Sequence, residues 1–499
     1  MTFRKEFDKI LREHPLEVAA MNTILLALAL ACADMAAFQL SGTKVEITKA
    51  EKISDNLPPR CRVDGVIDQR TGAGGKPYGI GFAVALPDNW NGRFLFQGGG
   101  GLNGNVANPV GAQASGDASA LSRGFAIVTT DTGHKGTGGF DASFMADQQA
   151  ALDFYYVAIG RVAPLAKEIV AHYYGRPADH SYYVGCSTGG REAMIMSQRY
   201  PAYFDGIVSG DPAIRTGHSN LGLAYFAAAM NGVNPKMSDG DKKLVVDSIV
   251  NSCDEKDGLK DGMIFNTAAC NFNPAVLTCN GAKTESCLSA SQVAGIQKAF
   301  AGPKDSRGNS IYPAFPYDAG IIDPAGIPGI LRSGGSSPVN PASTNSEYDA
   351  EKAAIGLNAN ATARAGDSLW TNISTFSGHG GKLIFYHGMS DPWFSPLDTI
   401  GYYQAMSSEN GGMEKVKDWS RLFLVPGMGH CQGGTSTVDS FDMLTAIVNW
   451  VENGKAPDSV TAKSRTPASR SRPLCPYPSY AQYSGQGDPQ SETNFVCRN

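Results

Sequence analysis

Ser181-Tyr182-Tyr183-Val184-Gly185-Cys186-Ser187-Thr188-Gly189 is the stretch that decides the fold. Its first four residues read as a short apolar strand, its last five match G-x-S-x-G, and a helix-compatible run follows. A serine in that context sits on a sharp turn and presents Oγ above a sheet; glycines flank it because a Cβ there would clash. A serine hydroxyl is a poor nucleophile until a base, itself oriented by an acid, takes its proton. In a strand–turn–helix setting of this kind the acid and then the base follow the serine along the chain, after later strands. Lys382-Leu383-Ile384-Phe385-Tyr386 leads into His387-Gly388-Met389-Ser390-Asp391, which makes Asp391 the candidate acid. Arg421-Leu422-Phe423-Leu424-Val425 leads into Pro426-Gly427-Met428-Gly429-His430-Cys431, which makes His430 the candidate base. His387 and His134 fit that order poorly and are expected to be hydrogen-bonded structural histidines.

Strands and helices alternate on either side of this motif. Residues 80–86, 93–96, 125–130, 181–184 and 204–209 read as strands, and 146–174 as a long helix kinked at Pro164 and stopped at Gly175. The rhythm returns at 382–386 and 421–425, followed by a helix over 437–453 with apolar residues at helical spacing and Gly454 as its stop. Such alternation predicts a largely parallel sheet with helices on both faces, an α/β-hydrolase fold. From 213 to 371 the character changes to cysteines, an Asp/Gly cluster and Gly/Pro/Ser/Asn-rich runs, which reads as a large inserted lid domain. The resulting division is 1–31 signal-like segment, 32–212 first part of the core, 213–371 lid with a calcium loop, and 372–499 second part of the core with a loop-like tail.

The 499 residues are 42% hydrophobic and 18% charged, enough to build a packed core. The formal charge is −5 and no block of like charge occurs, so nothing recruits nucleic acid or an anionic membrane electrostatically. The apolar run 24–31 is too short to span a bilayer and, with Ala29-Leu30-Ala31 resembling a cleavage site, reads as an export signal. The ten cysteines contain no C-x-x-C pair, which argues against zinc and for disulfides in an oxidising compartment, secreted or periplasmic.

Two of those cysteines carry an independent argument. Cys186 adjoins Ser187 and Cys431 adjoins His430. If serine and histidine meet, their neighbours fall within disulfide reach, and a Cys186–Cys431 bridge would clamp nucleophile to base. The oxyanion formed during acyl transfer needs two N–H donors. Thr188 offers one, and the glycine run 98–101 after the 93–96 strand offers another, at Gly101. Asp254-Glu255-Lys256-Asp257-Gly258-Leu259-Lys260-Asp261-Gly262-Met263 has the carboxylates and glycines of a calcium loop, without the spacing of an EF-hand.

Taken together, Gly185–Arg191, Cys253–Met263, His387–Asp391, Val425–Cys431 and Arg472–Tyr477 resemble the tannase and feruloyl esterase family, which includes the mono(2-hydroxyethyl) terephthalate hydrolases. The resemblance runs from Cys32 to Cys497. It implies the triad Ser187, Asp391 and His430 with Gly101 and Thr188 as oxyanion donors. It implies a structural Ca²⁺ held by Asp254, Asp257 and Asp261 and by the backbone oxygens of Leu259 and Met263. It implies the bridges Cys32–Cys61, Cys186–Cys431, Cys253–Cys270, Cys279–Cys287 and Cys475–Cys497. The implied activity is hydrolysis of small esters of aromatic acids, of feruloyl or gallic type. In the terephthalate half-ester hydrolases the lid supplies an arginine and nearby aromatics for the free carboxylate; Arg332 and Arg364 lack such surroundings here, so that activity ranks second. A non-catalytic aromatic-binding protein on the same scaffold is the reading from another class.

Overall fold

The computed structural model describes residues 31–324, 326–338, 346–465 and 469–499. The signal-like segment, except for Ala31, lies outside the described residues, as does part of the 334–345 run.

Nine strands form one mixed sheet: β1 (Val45–Ile53), β2 (Arg60–Thr71), β3 (Pro77–Pro87), β4 (Arg93–Gln97), β5 (Ala126–Thr130), β6 (His180–Cys186), β7 (Gly206–Gly210), β8 (Lys382–Gly388) and β9 (Ser420–Val425). Their order is β1-β2-β3-β5-β4-β6-β7-β8-β9. From β5 to β9 every neighbouring pair is parallel. The β1-β2-β3 side is antiparallel and joins β5 antiparallel, so the sheet is less uniformly parallel than the alternation suggests.

The period-2 alternation of strand side chains sorts the sheet into two faces. Phe94, Phe96, Tyr183, Ile207 and Phe385 face one core, packed by α1 (Ala158–Tyr174) through Ile159, Val162 and Ile169. Leu95, Tyr182, Val184, Val208 and Ile384 face the other, packed by the last helix of the chain (Met443–Asn453) through Leu444, Ile447 and Trp450. Central strands covered on both faces are continuously apolar, which is why they stand out in the sequence.

Several boundaries differ from expectation. Residues 146–174 are not one helix: a short helix (Gln148–Leu152) and a π-turn (Asp153–Val157) precede α1, whose interior holds Pro164. The expected helix over 437–453 begins only at Met443, because Ser440–Phe441 pairs as β10 with β11 (Val460–Lys463). The tail is not simply loop: β12 (Ser471–Leu474) extends that small sheet, and β13 (Tyr480–Tyr483) pairs with β14 (Phe495–Arg498).

The crossover from β7 to the adjacent β8 is expanded into a long insertion. It carries α2 (Thr216–Asn231), α3 (Asp239–Cys253) and α4 (Ala290–Ala301). These pack around their own apolar centre of Phe226, Val245, Ile249, Ile296, Phe300 and Phe315. Cys253–Cys270 and Cys279–Cys287 close two loops inside this insertion. Among the described residues no helix is long and apolar enough to cross a membrane.

Candidate active site

Ser187 stands between β6 and the helix Thr188–Arg199 at φ 65° and ψ −124°, a conformation L-residues rarely hold. Crowding enforces the flanking glycines: a Cβ on Gly185 would lie 2.5 Å from the Gly189 carbonyl oxygen, and one on Gly189 would lie 2.7 Å from that of Gly99. The serine is thereby held at the carboxyl end of β6, where Ser187 N–H donates to the Gly210 carbonyl across the sheet (3.0 Å).

Asp391 follows β8 and His430 follows β9, in the chain order expected. His430 Nδ1 donates to Asp391 Oδ2 at 2.7 Å. The other carboxylate oxygen accepts from the Trp393 and Phe394 N–H groups at 2.8 and 3.1 Å, which fixes the carboxylate plane. Both groups are buried. Burial opposes the charged form of Asp391, but His430 and His387 outweigh it and hold the carboxyl well below the usual range. The rings of Trp393 and Phe394 lie 4.9 and 5.3 Å from the imidazole and shield it from water.

Cys186 and Cys431 are joined, with Cα atoms 6.0 Å apart, so their neighbours Ser187 and His430 sit side by side. His430 Nε2 is buried and makes no hydrogen bond in this structure. Serine and histidine are thus adjacent without being hydrogen-bonded, and a bond of this kind commonly tightens only with substrate. His387 is hydrogen-bonded on both nitrogens, to Thr399 Oγ1 (2.8 Å) and the Phe394 carbonyl (3.0 Å). His134 differs from expectation: what holds its ring is stacking on Phe144, with centroids 3.7 Å apart.

Gly101 has φ 56°, and a Cβ on it would lie 2.3 Å from the Gly139 carbonyl oxygen. The Thr188 hydroxyl donates to the Gly101 carbonyl. The Gly101 and Thr188 N–H groups take part in no backbone turn or loop bond. Sequence reasoning missed the group that anchors this loop. Glu192, fully buried, accepts from Gly99 N–H (3.0 Å), Asn103 Nδ2 (3.1 Å) and Tyr183 Oη (2.7 Å). A lone carboxylate five residues after Ser187 carries no sequence signal of this role; only the burial of its helix reveals it. It also missed Asp211, at the carboxyl end of β7.

Beside Ser187 lies an apolar cavity of about 40 Å³. Phe140, Phe154, Leu223, Trp393 and Phe394 supply its walls, and Gly101 and Thr188 border it. Among the described residues no charged side chain lines it.

The acidic loop folds back on itself. Asp254 Oδ2 accepts from Gly262 N–H (2.8 Å), and Asp257 accepts from Leu259 N–H (3.2 Å) and Phe265 N–H (2.9 Å). Asp261 pairs with Arg472, whose side chain is fully buried, so the loop is docked on β12. Burial pushes Asp257 up to about 7 and raises Asp254, and Asp254 Oδ1 has no partner. The Leu259 and Met263 carbonyls accept no backbone bond. Asp254 and Asp257 are thus buried carboxylates with few donors, while Asp261 is compensated by Arg472, and one oxygen from each of the three does not come within 4.8 Å of the others. Asp211, His387 and Asp391 do converge, but Gly388 N–H occupies one oxygen of Asp211 and His430 one oxygen of Asp391.

A family model described as "Tannase and feruloyl esterase" matches residues 61–354 and 335–498. The chain belongs to the tannase and feruloyl esterase family. It is 38% identical to a mono(2-hydroxyethyl) terephthalate hydrolase of Piscinibacter sakaiensis, over 88% of this chain and 85% of that protein. It is 31% identical to a probable feruloyl esterase of Arthroderma benhamiae, over 83% of this chain and 81% of that protein. The crystal structure of feruloyl esterase B from Aspergillus oryzae superposes with a TM-score of 0.76 at 26% identity, covering 94% of this chain and 99% of that one. The protein is thus a carboxylic-ester hydrolase by family, and its fold is of the α/β-hydrolase type.

All ten cysteines of this esterase are paired: besides the bridges above, Cys32–Cys61 and Cys475–Cys497 form. Peptide mass spectrometry without reduction should recover Cys186 joined to Cys431, and any other partner contradicts the clamp. Replacing both by alanine should cost about 2–5 kcal/mol of stability, read as a fall in Tm.

Proposed function

We propose that this esterase hydrolyses esters of neutral aromatic acids, with Ser187 as nucleophile. His430 takes the hydroxyl proton as Oγ attacks the ester carbonyl, and Asp391 orients the imidazole and stabilises its charged form. The N–H groups of Gly101 and Thr188 receive the oxyanion. His430 then protonates the departing alcohol, and water releases the acid from the acyl-enzyme. The observation that carries this reading is the joining of Cys186 to Cys431 beside the His430–Asp391 bond, which holds a strained serine next to an oriented base.

The acyl class follows from the cavity at Ser187. Aromatic walls suit a planar ring, and no lining group among the described residues is cationic. Between Arg332 and Lys352 the sequence contains no lysine or arginine. A free carboxylate on the ring would be buried there without a partner, at a cost of several kcal/mol. Feruloyl or gallic-type esters therefore fit better than the half-ester cleaved by the terephthalate relative.

We read residues 213–371 as a lid over this cavity, supported by the separate apolar core of that segment and by Leu223 in the cavity wall. Asp254, Asp257, Asp261 and the carbonyls of Leu259 and Met263 are the groups that would hold Ca²⁺, whose charge would offset the buried carboxylates and brace the lid against β12. Five disulfides fit an exported protein, secreted or periplasmic.

Ser187→Ala should lower kcat on methyl ferulate by roughly 10⁵–10⁶-fold while Tm stays put; retained turnover excludes Ser187. On parent enzyme, kcat/KM for methyl ferulate or methyl gallate should exceed that for mono(2-hydroxyethyl) terephthalate by more than about tenfold; the reverse order contradicts the neutral-acid assignment. Stripping divalent cations with a chelator should lower Tm, with recovery on adding Ca²⁺; an unchanged melting curve after verified metal removal rules out a bracing ion.

A further inference from the structure

Beneath the candidate triad lies a second carboxyl that the proposed chemistry does not use. Asp211 is fully buried at the end of β7, and one of its oxygens, one of Asp391 and a nitrogen of His387 all lie within 4.8 Å of one another. Two carboxylates that close, away from water, cannot both be ionised without a counter-charge, so the proton has to be placed.

Hydrogen-bond donors place it. Asp391 is served by three: His430 Nδ1–H and the N–H groups of Trp393 and Phe394. Asp211 has one, Gly388 N–H, at 2.9 Å on Oδ1. Its Oδ2 faces Cys186 Sγ at 3.5 Å. That sulfur is in the disulfide and carries no hydrogen, so an ionised Oδ2 would have no donor there, whereas a protonated one can point its hydrogen at the sulfur.

His387 faces both carboxyls, its Nε2 3.7 Å from Asp211 Oδ1 and 3.4 Å from Asp391 Oδ2, and with one carboxyl protonated its ring need carry no charge. Its Nε2 bonds a carbonyl and therefore carries a hydrogen; its Nδ1 lies 2.8 Å from Thr399 Oγ1, whose hydroxyl can donate to it. A neutral imidazole satisfies both contacts. Burial pushes His387 down, but Asp211, Asp391 and the Phe394 carbonyl outweigh it and raise the ring above its ordinary value; the largest of these upward pulls, the charge of Asp211, vanishes once Asp211 is protonated. The other titratable group on β8 near Asp211 is Tyr386, and His430 lies beyond Asp391.

Resting on the hydrolase reading above, we infer that Asp211 holds the proton of an Asp211–Asp391 carboxyl pair, so that the triad works over a single buried negative charge. The ionisation behaviour agrees: burial pushes Asp211 up to about 8, with Asp391 adding to the effect and His387 opposing it. Asp211 also has φ 36°, a left-handed conformation that asparagine tolerates as aspartate does.

Asp211→Asn is thus a neutral isostere in a tolerated backbone state, and Asp211→Ser is a second neutral variant should the first fold poorly. A carboxyl whose folded pKa exceeds its unfolded one loses stability as pH rises between the two values. The parent carries that loss between pH 5 and 8; a neutral variant does not. The Tm of Asp211→Asn minus that of the parent should therefore increase from pH 5 to pH 8. The acid limb of kcat/KM on methyl ferulate should keep its position, because no anion has been removed near the imidazolium. A Tm difference that is flat or shrinks with pH, or an acid limb displaced by about one unit to lower pH, would overturn the assignment. Turnover by Ser187→Ala in the same assay would instead sink the hydrolase reading and leave the Tm comparison valid.

Discussion

The covalent bond between Cys186 and Cys431 is the constraint on which the site depends. Cys186 ends β6 and Cys431 follows β9, three places away in the sheet. At about 4.8 Å per strand their axes lie roughly 14 Å apart, yet the two Cα atoms are 6.0 Å apart. The segment after β9 must therefore fold back across the ends of β8 and β7. Gly388 shows the closeness of that crossing, since a Cβ on it would lie 2.4 Å from the carbonyl oxygens of Met428 and Gly429. Cys431 takes φ 66° to finish the turn, at a conformational cost that the disulfide helps to meet.

The fold-back also sets the electrostatics. It roofs over Asp211, His387 and Asp391, all fully buried, and leaves His430 Nε2 as the one imidazole nitrogen of the pair His387/His430 without a bond. In such low-dielectric surroundings each charge is felt strongly and each missing donor is costly. Asp391 has its donors and stays ionised. On the opposite side of Ser187 the glycine loop is pinned by Glu192, so the reacting position lies between two rigid supports, one covalent and one built from three hydrogen bonds to a buried carboxylate.

Much of this was legible in the chain. The central strands are short, apolar and bounded by glycine, and the serine, aspartate and histidine each follow one of them. The cysteines adjoining Ser187 and His430 announced their own proximity. The outer strands β1 and β2 were not legible: Glu46, Lys49 and Lys52 of β1 face solvent on the edge of the sheet, and β2 mixes Arg60, Arg62, Asp64 and Asp68 with its apolar residues, so neither reads as a continuous apolar run. Phe441 and Leu444 both suit a helix face, but tertiary pairing of Ser440–Phe441 with β11 overrode that periodicity. Glu192 and Asp211 were invisible as functional groups because a lone acid in a helix or turn is ordinarily solvated, and only the packing revealed their burial.

A strained serine and an oriented imidazole sharing one site should behave as a single reactive unit. Reaction with a fluorophosphonate, followed by peptide mapping of the labelled full-length protein, examines that unit without any assumption about the substrate. A single adduct is expected on Ser187, formed at a rate that collapses when His430 is replaced by alanine. Labelling at another serine, or none on properly folded protein, would contradict the shared site.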